Sequence, residues 1–565
     1  MSAPHDRLTS RNLDALLAPF AEKPGLVLGL AVLFLLGPFI GKPFNMDDPL
    51  FIWTAQHIQA EPLNPYNFMV NWYGWDQPMW EVTKNPPLVS YYLSVWAIPF
   101  GWSEPSLHAA LLLPALAVIL GTHRLARRFC TQPMLAALLT LVMPVFLVSS
   151  TMVMCDVLML AFWVWAIVLW TEGCELGRPG LLAVAAVLIG LAAMTKYFGA
   201  CLLPLLAVWS FVREKSLRLW LPWLSIPVVI LAAYQIGTSH LYGRGLLLDA
   251  GSYVKYTRTL YDADALKRTG NALTFTGGCL AAAIFFAPFL WSRRTFLLGL
   301  ATIGLLTGWL SWTGWLVEPY ASTAGSTRFW LAAQIAVWMV VGISVLALGI
   351  TDYLRQRDAQ SLLLNLWVLG TFAFAAFCNW TVTARTLLPM APAVGILMLR
   401  RWHARAPATR TGILPALALS ATLALGVARA DFLLATANHE NVAQVANTYA
   451  NENRALWFFG HWGFQYYMQS AGARPVDTRS PQLNPADLVA LPLRNTNVPQ
   501  PDTNAAAYEH TFSQPIGIPI ATQNPLLGAG FYASLWGPLP FAFGWPPVEQ
   551  VDIYRIKVPS PNSPP

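Results

Sequence analysis

Few charged side chains stand at the edges of this chain's apolar runs, and their types are those of acid–base chemistry on an anion. Asp47 and Asp48 are adjacent, just after the first long apolar run. Glu81 and Lys84 follow in the same polar stretch, Asp156 opens a later apolar run, Lys196 interrupts two others, and Arg328 and Arg385 precede two more. A charge inside or beside a bilayer costs roughly 2.5–3.5 kcal/mol on insertion scales, so it is usually retained for a purpose. Carboxylates beside several cations suit a site that handles an anionic group: the cations hold the anion and one carboxylate stays available as a base. Each residue also has a plainer reading. Asp47 before Pro49 fits an N-cap, Asp156 fits a helix start, Lys196 fits a snorkelling lysine, and His461 with Trp462 fits core packing.

The elements that must position these residues are membrane spans. The chain has 565 residues, 56% hydrophobic and 11% charged, with mean hydropathy +0.47. A soluble protein averages about 25% charged residues. Runs matched to a hydrocarbon core of about 30 Å predict about thirteen spans, near 25–41, 106–122, 134–151, 157–172, 180–195, 198–212, 219–237, 271–291, 295–316, 329–352, 361–379, 387–400 and 411–428. The stretch LVSYYLSVWAIPFG, 88–101, is shorter and reads as an interfacial or re-entrant helix.

With the N-terminus cytoplasmic, roughly half of the 35 Lys and Arg fall in short inside loops, RLARRF and LRRWHAR among them, as the positive-inside rule requires. The net charge of +7 is therefore mostly a topology signal, not one of nucleic-acid binding. The rim charges then face outside. A polytopic protein of the plasma (inner) membrane is expected, with its site and its tail extracytoplasmic or periplasmic. The expected organisation is a cytoplasmic segment 1–24, a transmembrane domain 25–428 with a first outside loop 42–105, and a small extracytoplasmic α/β domain 429–565. In that tail ENRALWFFG, ADLVALP and VDIYRIKV read as strands and HWGFQYYMQSAG as a helix, with Pro-rich loops over 493–549 and a disordered PSPNSPP end. The fold class is mainly α, a polytopic helical bundle carrying this α/β domain. The six cysteines lie in or beside apolar segments, none after Cys378, so the tail has no disulfide framework and no cysteine metal site. No His/Cys cluster has zinc spacing.

In order along the chain, the motifs resemble those of the GT-C class of membrane glycosyltransferases, in the bacterial branch related to protein O-mannosyltransferases and the lipid A aminoarabinose transferase. The resemblance covers about 25–428. The family's Asp-Glu pair corresponds to Asp47-Asp48. Its Lys-Pro-Pro-Leu corresponds to 85–88, with Asn85 in the lysine's place and Lys84 one residue earlier. Its later aspartate corresponds to Asp156. Its Thr-Lys-Gly break corresponds to Thr195-Lys196, with Tyr197-Phe198 before Gly199, and its Arg-Tyr-x-Leu-Pro to Arg385-Thr386-Leu387-Leu388-Pro389. The resemblance implies a sugar donor carried on polyprenyl phosphate, an acceptor lipid, glycan or protein, and transfer to a hydroxyl with inversion at the outer face. Asp47 is then the base, with Asp156 assisting. Lys84, Lys196, Arg385 and Arg328 hold the donor phosphate. Asp48, Asn85, Tyr197 and His461 position substrate. A divalent metal on Asp47 and Asp156 is the one cofactor considered. The rival reading, a transporter or lipid flippase with an outward charged cavity, calls for inverted repeats and midplane charges, and neither is visible in the sequence.

Overall fold

The computed structural model describes residues 23–557 except 215, 262–263, 319, 321–324, 406–411, 451 and 453. The expected cytoplasmic segment, but for its last two residues, and the PSPNSPP end lie outside the described residues. Seven described helices are long and apolar enough to cross a membrane, nine if each bent pair is one span. The bent pairs are Pro133–Leu141 with Pro144–Ser150, at 65°, and Ala265–Cys279 with Ala282–Leu290, at 85°. The first breaks where Pro144 forces Met143 out of the helical region. Shorter apolar helices, Pro24–Phe39, Pro179–Thr195 and Tyr197–Arg213 among them, fall below the usual spanning length. Leu88–Phe100, expected to lie in the interface, has 13 residues and exposes Val95, Ile98 and Phe100.

Small residues set how closely the spans approach. Asp156–Leu176 packs between Glu104–Phe129 and Pro179–Thr195, and Ala265–Cys279 lies along Gly325–Gln356. At that second crossing a Cβ on Gly277 would fall 1.8 Å from the Trp338 carbonyl oxygen, so only glycine lets the backbones meet. Trp163, Trp170, Trp209 and Trp367 fill the interior.

The helix Ile413–Tyr449 has 37 residues. At 1.5 Å per residue that is about 55 Å, well beyond a bilayer's hydrocarbon core. It runs unbroken through residue 428, the expected domain boundary, and ends against the tail strands Ala506–Gln514 and Glu549–Ile556. The tail sheet is mixed and five-stranded, in the order Arg474–Pro475, Leu456–Phe458, Leu488–Pro492, Glu549–Ile556, Ala506–Gln514. The first three strands are parallel and the last two pair antiparallel, with Ala490 opposite Ile553. The expected strands and the helix Trp462–Ser470 are present. The strand Ala506–Gln514 corrects the reading of 493–549 as loops only. Its alternation is hidden because most of its side chains face solvent, leaving little apolar period to read.

The tail is also less separate than expected, because it grips the first loop. Gln465 Nε2 donates to the Asn71 carbonyl (2.8 Å), the Thr478 N–H to the Gly74 carbonyl (2.8 Å), and the Phe44 N–H to the Tyr467 hydroxyl (2.7 Å). From residue 515 the chain leaves the sheet and packs on the membrane domain. There the Ala384 N–H donates to the Phe531 carbonyl and the Ser534 N–H to the Val382 carbonyl.

Candidate active site

Asp47 occupies the N-cap position of the helix Asp48–Ala60, but its side chain makes no cap bond. It turns to Arg385, whose Nη2 donates to Oδ2 at 3.0 Å. Met46 precedes it at φ 45°, a left-handed conformation that is strained for a non-glycine residue. Arg385 stands on the one-turn helix Ala384–Leu387, capped by Thr383, whose hydroxyl accepts from the Thr386 N–H. Its Nη1 lies 3.9 Å from Asp156 Oδ2. Asp156 begins the helix Asp156–Leu176, and its other oxygen accepts from Lys196 Nζ at 2.5 Å. Lys196 is an extended residue between the helix Pro179–Thr195 and the tight turn Tyr197–Cys201. Gly199 folds that turn back: a Cβ there would sit 2.3 Å from the Ala192 carbonyl carbon. Lys196, Asp156, Arg385 and Asp47 thus form one chain of ion pairs with no net charge. Asp156 is buried, while Asp47 and Lys196 keep 33% and 21% of their side chains exposed, enough to meet a ligand.

Asp47, Lys196 and Arg385 line a cavity of about 1040 Å³. Lys84, Asn85, Tyr197 and His461 line it too, so of the ten predicted site residues seven share this space and Asp156 lies just beneath. Lys84 is already engaged: Nζ donates to Asp249 (2.7 Å) and stands 5.5 Å over the Tyr253 ring. The Asn85 carbonyl accepts from the Tyr66 hydroxyl at 2.8 Å, and the Tyr197 hydroxyl reaches that of Tyr234 at 3.5 Å. His461 stacks on Trp72 and pairs with Asn497 at 3.0 Å. Burial holds its imidazole down at about 4, so it is neutral at physiological pH.

Besides Asp156, two of the expected site residues, Arg328 and Asp48, lie outside the cavity lining. Arg328 does not line the cavity. It bonds the Ser311 and Trp312 carbonyls and Glu318, closing the end of the helix Arg293–Thr313, where unpaired carbonyls attract a cation. The metal expectation does not fit the donors. Both Asp156 oxygens face cations, Asp47 Oδ2 is taken by Arg385, and no group of three or more His, Cys, Asp or Glu among the described residues could hold an ion. Asp48 is fully buried. Its oxygens accept from the Asn45 and Val153 N–H groups at 2.8 and 2.9 Å, so it staples two loops together and does not reach the cavity. Burial pushes its carboxyl up to about 7, while Lys42 and those two N–H groups pull it down.

Sequence reasoning missed a second buried cluster behind Arg385. Lys42 Nζ meets Asp431 Oδ2 at 2.5 Å, both side chains at 0% exposure. Asp431 also accepts from the Tyr532 hydroxyl and the Thr522 hydroxyl at 2.8 Å. The Tyr532 ring lines the cavity 5.7 Å from the Arg385 guanidinium carbon, a cation–π distance. Burial and the adjacent Asp431 keep that hydroxyl protonated. An aspartate inside the apolar run VARADFLLA was the available signal. Tyr532, in a Gly-rich loop, gave none.

Residues 84–236 match the family model of dolichyl-phosphate-mannose-protein mannosyltransferase. That segment is about a quarter of the chain, and over it the sequence is similar to this mannosyltransferase family. The matched segment contains Lys84, Asp156 and Lys196 but neither Asp47 nor Arg385. No curated protein matches the sequence. Solved structures are similar over much of the chain. The oligosaccharyltransferase AglB from Archaeoglobus fulgidus, in complex with an inhibitory peptide and a dolichol-phosphate, is 12% identical and aligns with 81% of this chain at a TM-score of 0.45. ArnT from Cupriavidus metallidurans, bound to undecaprenyl phosphate, is 13% identical over 85% of this chain and 93% of its own, at 0.44. The mycobacterial arabinofuranosyltransferase AftD is 14% identical over 95% of this chain and 40% of its own, at 0.42. The chain spans 64% of the length of the archaeal enzyme.

Proposed function

We propose that the chain transfers a sugar from a polyprenyl-phosphate donor to an acceptor hydroxyl at the outer face of the membrane, inverting the anomeric centre. The observation that carries this reading is the neutral quartet of Asp47, Arg385, Asp156 and Lys196 at one cavity. A phosphate offers Arg385 and Lys196 charge-assisted partners that compete with the carboxylates they hold. Its arrival draws Arg385 off Asp47, and the freed carboxylate becomes a base. Asp156, buried behind the cations, keeps them in place.

The acceptor oxygen attacks C1 from the face opposite the phosphate, and Asp47 takes its proton. The C1–O bond to phosphate breaks as the new one forms, and the lipid phosphate leaves with both electrons. Arg385 and Lys196 stabilise the charge that grows there, and fixed cations of this kind lower the barrier more than any other single device in most such reactions. The exposed Val95, Ile98 and Phe100 of Leu88–Phe100 give the lipid chain an apolar face. Family kinship over 84–236 supports the donor class.

The test is turnover by purified protein of a radiolabelled polyprenyl-phosphate sugar, followed by release of lipid phosphate and by the product's anomeric configuration. Asp47→Asn removes the base and is expected to cut the rate by about 10²–10⁴-fold while the chain still inserts and elutes as wild type. Full activity in that variant would remove Asp47 from the mechanism, and a retained anomeric configuration would overturn direct displacement.

A further inference from the structure

The cavity has two chemically different walls. All the charged residues that line it, Asp47, Lys84, Lys196 and Arg385, come from the membrane domain. The ten lining residues from the tail carry no formal charge other than what a protonated His461 would add, and they are rich in rings and side-chain amides. Trp462 and Trp536 pair with centroids 5.5 Å apart, and His461 stacks on Trp72 at 5.3 Å with 23° between planes. Trp462 is held at φ 64°, a conformation unfavourable to a tryptophan and kept by its surroundings.

Gln523 is the decisive residue of this wall. It is 6% exposed and lines the cavity, and neither its amide oxygen nor its amide nitrogen has a hydrogen-bond partner among the described residues. Its backbone is fixed by antiparallel pairing with Gly530, so its position is set by the fold. A buried amide left unpaired is destabilising and calls for an explanation. A donor and an acceptor side by side match a hydroxyl, which does both, and since both atoms are closed from solvent a turn of the side chain presents them to the cavity.

We infer that the tail wall is an acceptor subsite for a neutral saccharide, in which Gln523 reads ring hydroxyls and Trp462 and Trp536 stack on sugar faces. This rests on the glycosyltransferase reading and names the acceptor class. An anionic lipid headgroup would meet no fixed cation on this wall. Rings interleaved with side-chain amides suit the alternating C–H and hydroxyl surface of a saccharide, and a peptide, which aromatic grooves also bind, is the rival that the experiment separates. The face of an indole carries negative charge density and attracts the C–H edges of a pyranose.

The experiment measures binding without turnover. Full-length protein in detergent is titrated with neutral α- and β-linked hexasaccharides and with a Ser/Thr-containing decapeptide, following tryptophan fluorescence. Saturable binding of a neutral hexasaccharide is expected. Gln523→Leu and Trp536→Ala should each weaken it by about tenfold, and Trp536→Phe should restore much of it because a ring remains. Elution at the wild-type volume guards against misfolding. No binding by any hexasaccharide, equal binding by the variants, or tighter binding of the decapeptide would overturn the inference. Release of polyprenyl phosphate from the radiolabelled donor is scored on the same preparation. Turnover stimulated by the decapeptide alone overturns the saccharide subsite and leaves the glycosyltransferase standing. Variant-sensitive saccharide binding with no donor turnover supports the subsite and overturns the enzyme.

Discussion

Arg385 donates to Asp47 and faces Asp156, so one planar guanidinium holds two carboxylates from different loops. A lysine has the charge without the fork and cannot serve both. Arg385→Lys is therefore expected to lower kcat by about 10²–10³-fold, the usual loss of one electrostatic donor to a developing charge, with normal folding because the site keeps its net charge. Initial rates of lipid-phosphate release check this. An unchanged kcat would mean that Arg385 does not touch the leaving group.

At the scale of elements, the helix Ile413–Tyr449 is tied to the first loop and the tail through one carboxylate. Asp431→Asn leaves the Lys42 ammonium buried without a counter-charge and, with the amide oxygen kept by Tyr532 and Thr522, turns an amide NH2 group toward it. The expected loss is about 3–5 kcal/mol, part of it recovered in Lys42→Met with Asp431→Asn, which removes both charges of the pair and keeps an amide oxygen for the two hydroxyls. Thermal unfolding in detergent compares the three proteins.

The strand Glu549–Ile556 makes a pH prediction. Burial pushes the Glu549 carboxyl from 4.5 up to about 7, with Arg494 pulling the other way. The folded chain then holds a proton that the unfolded chain has lost between those values. Stability contributed by this group is present below pH 4.5, falls as pH rises toward 7, and is constant above it. The decline is on the order of 3 kcal/mol, and Glu549→Gln should remove this share and leave the one that buried Asp48 adds over the same range. Unfolding midpoints measured from about pH 5 to 8 decide.

At the scale of the whole molecule, loops far apart in sequence meet on one side of the bundle, and the proposed topology places that side outside. Cys378 is exposed and lines the cavity. In a variant whose other five cysteines are alanine, a membrane-impermeant maleimide added to the outside of intact cells should label Cys378, and excess polyprenyl phosphate should slow the labelling. Labelling only after permeabilisation would invert the orientation.

The sequence alone determined that the chain is a membrane helical bundle, because long apolar runs and basic short loops follow directly from the cost of moving polar groups into lipid. It also marked Asp47, Asp156, Lys196 and Arg385, since a charge at the edge of an apolar run stands out wherever it occurs. The tertiary structure decided which charges meet. It brought those four into one chain of ion pairs and sent Arg328, of the same type and at the same kind of position, to a helix end. It also exposed Lys42 with Asp431, whose purpose is legible only when both partners are seen. The tail's part in the cavity was beyond sequence reading for a physical reason: Tyr532 and Trp536 lie on irregular backbone and Gln523 in a strand of two residues, too short to carry a period, and their neighbours come from other segments of the chain.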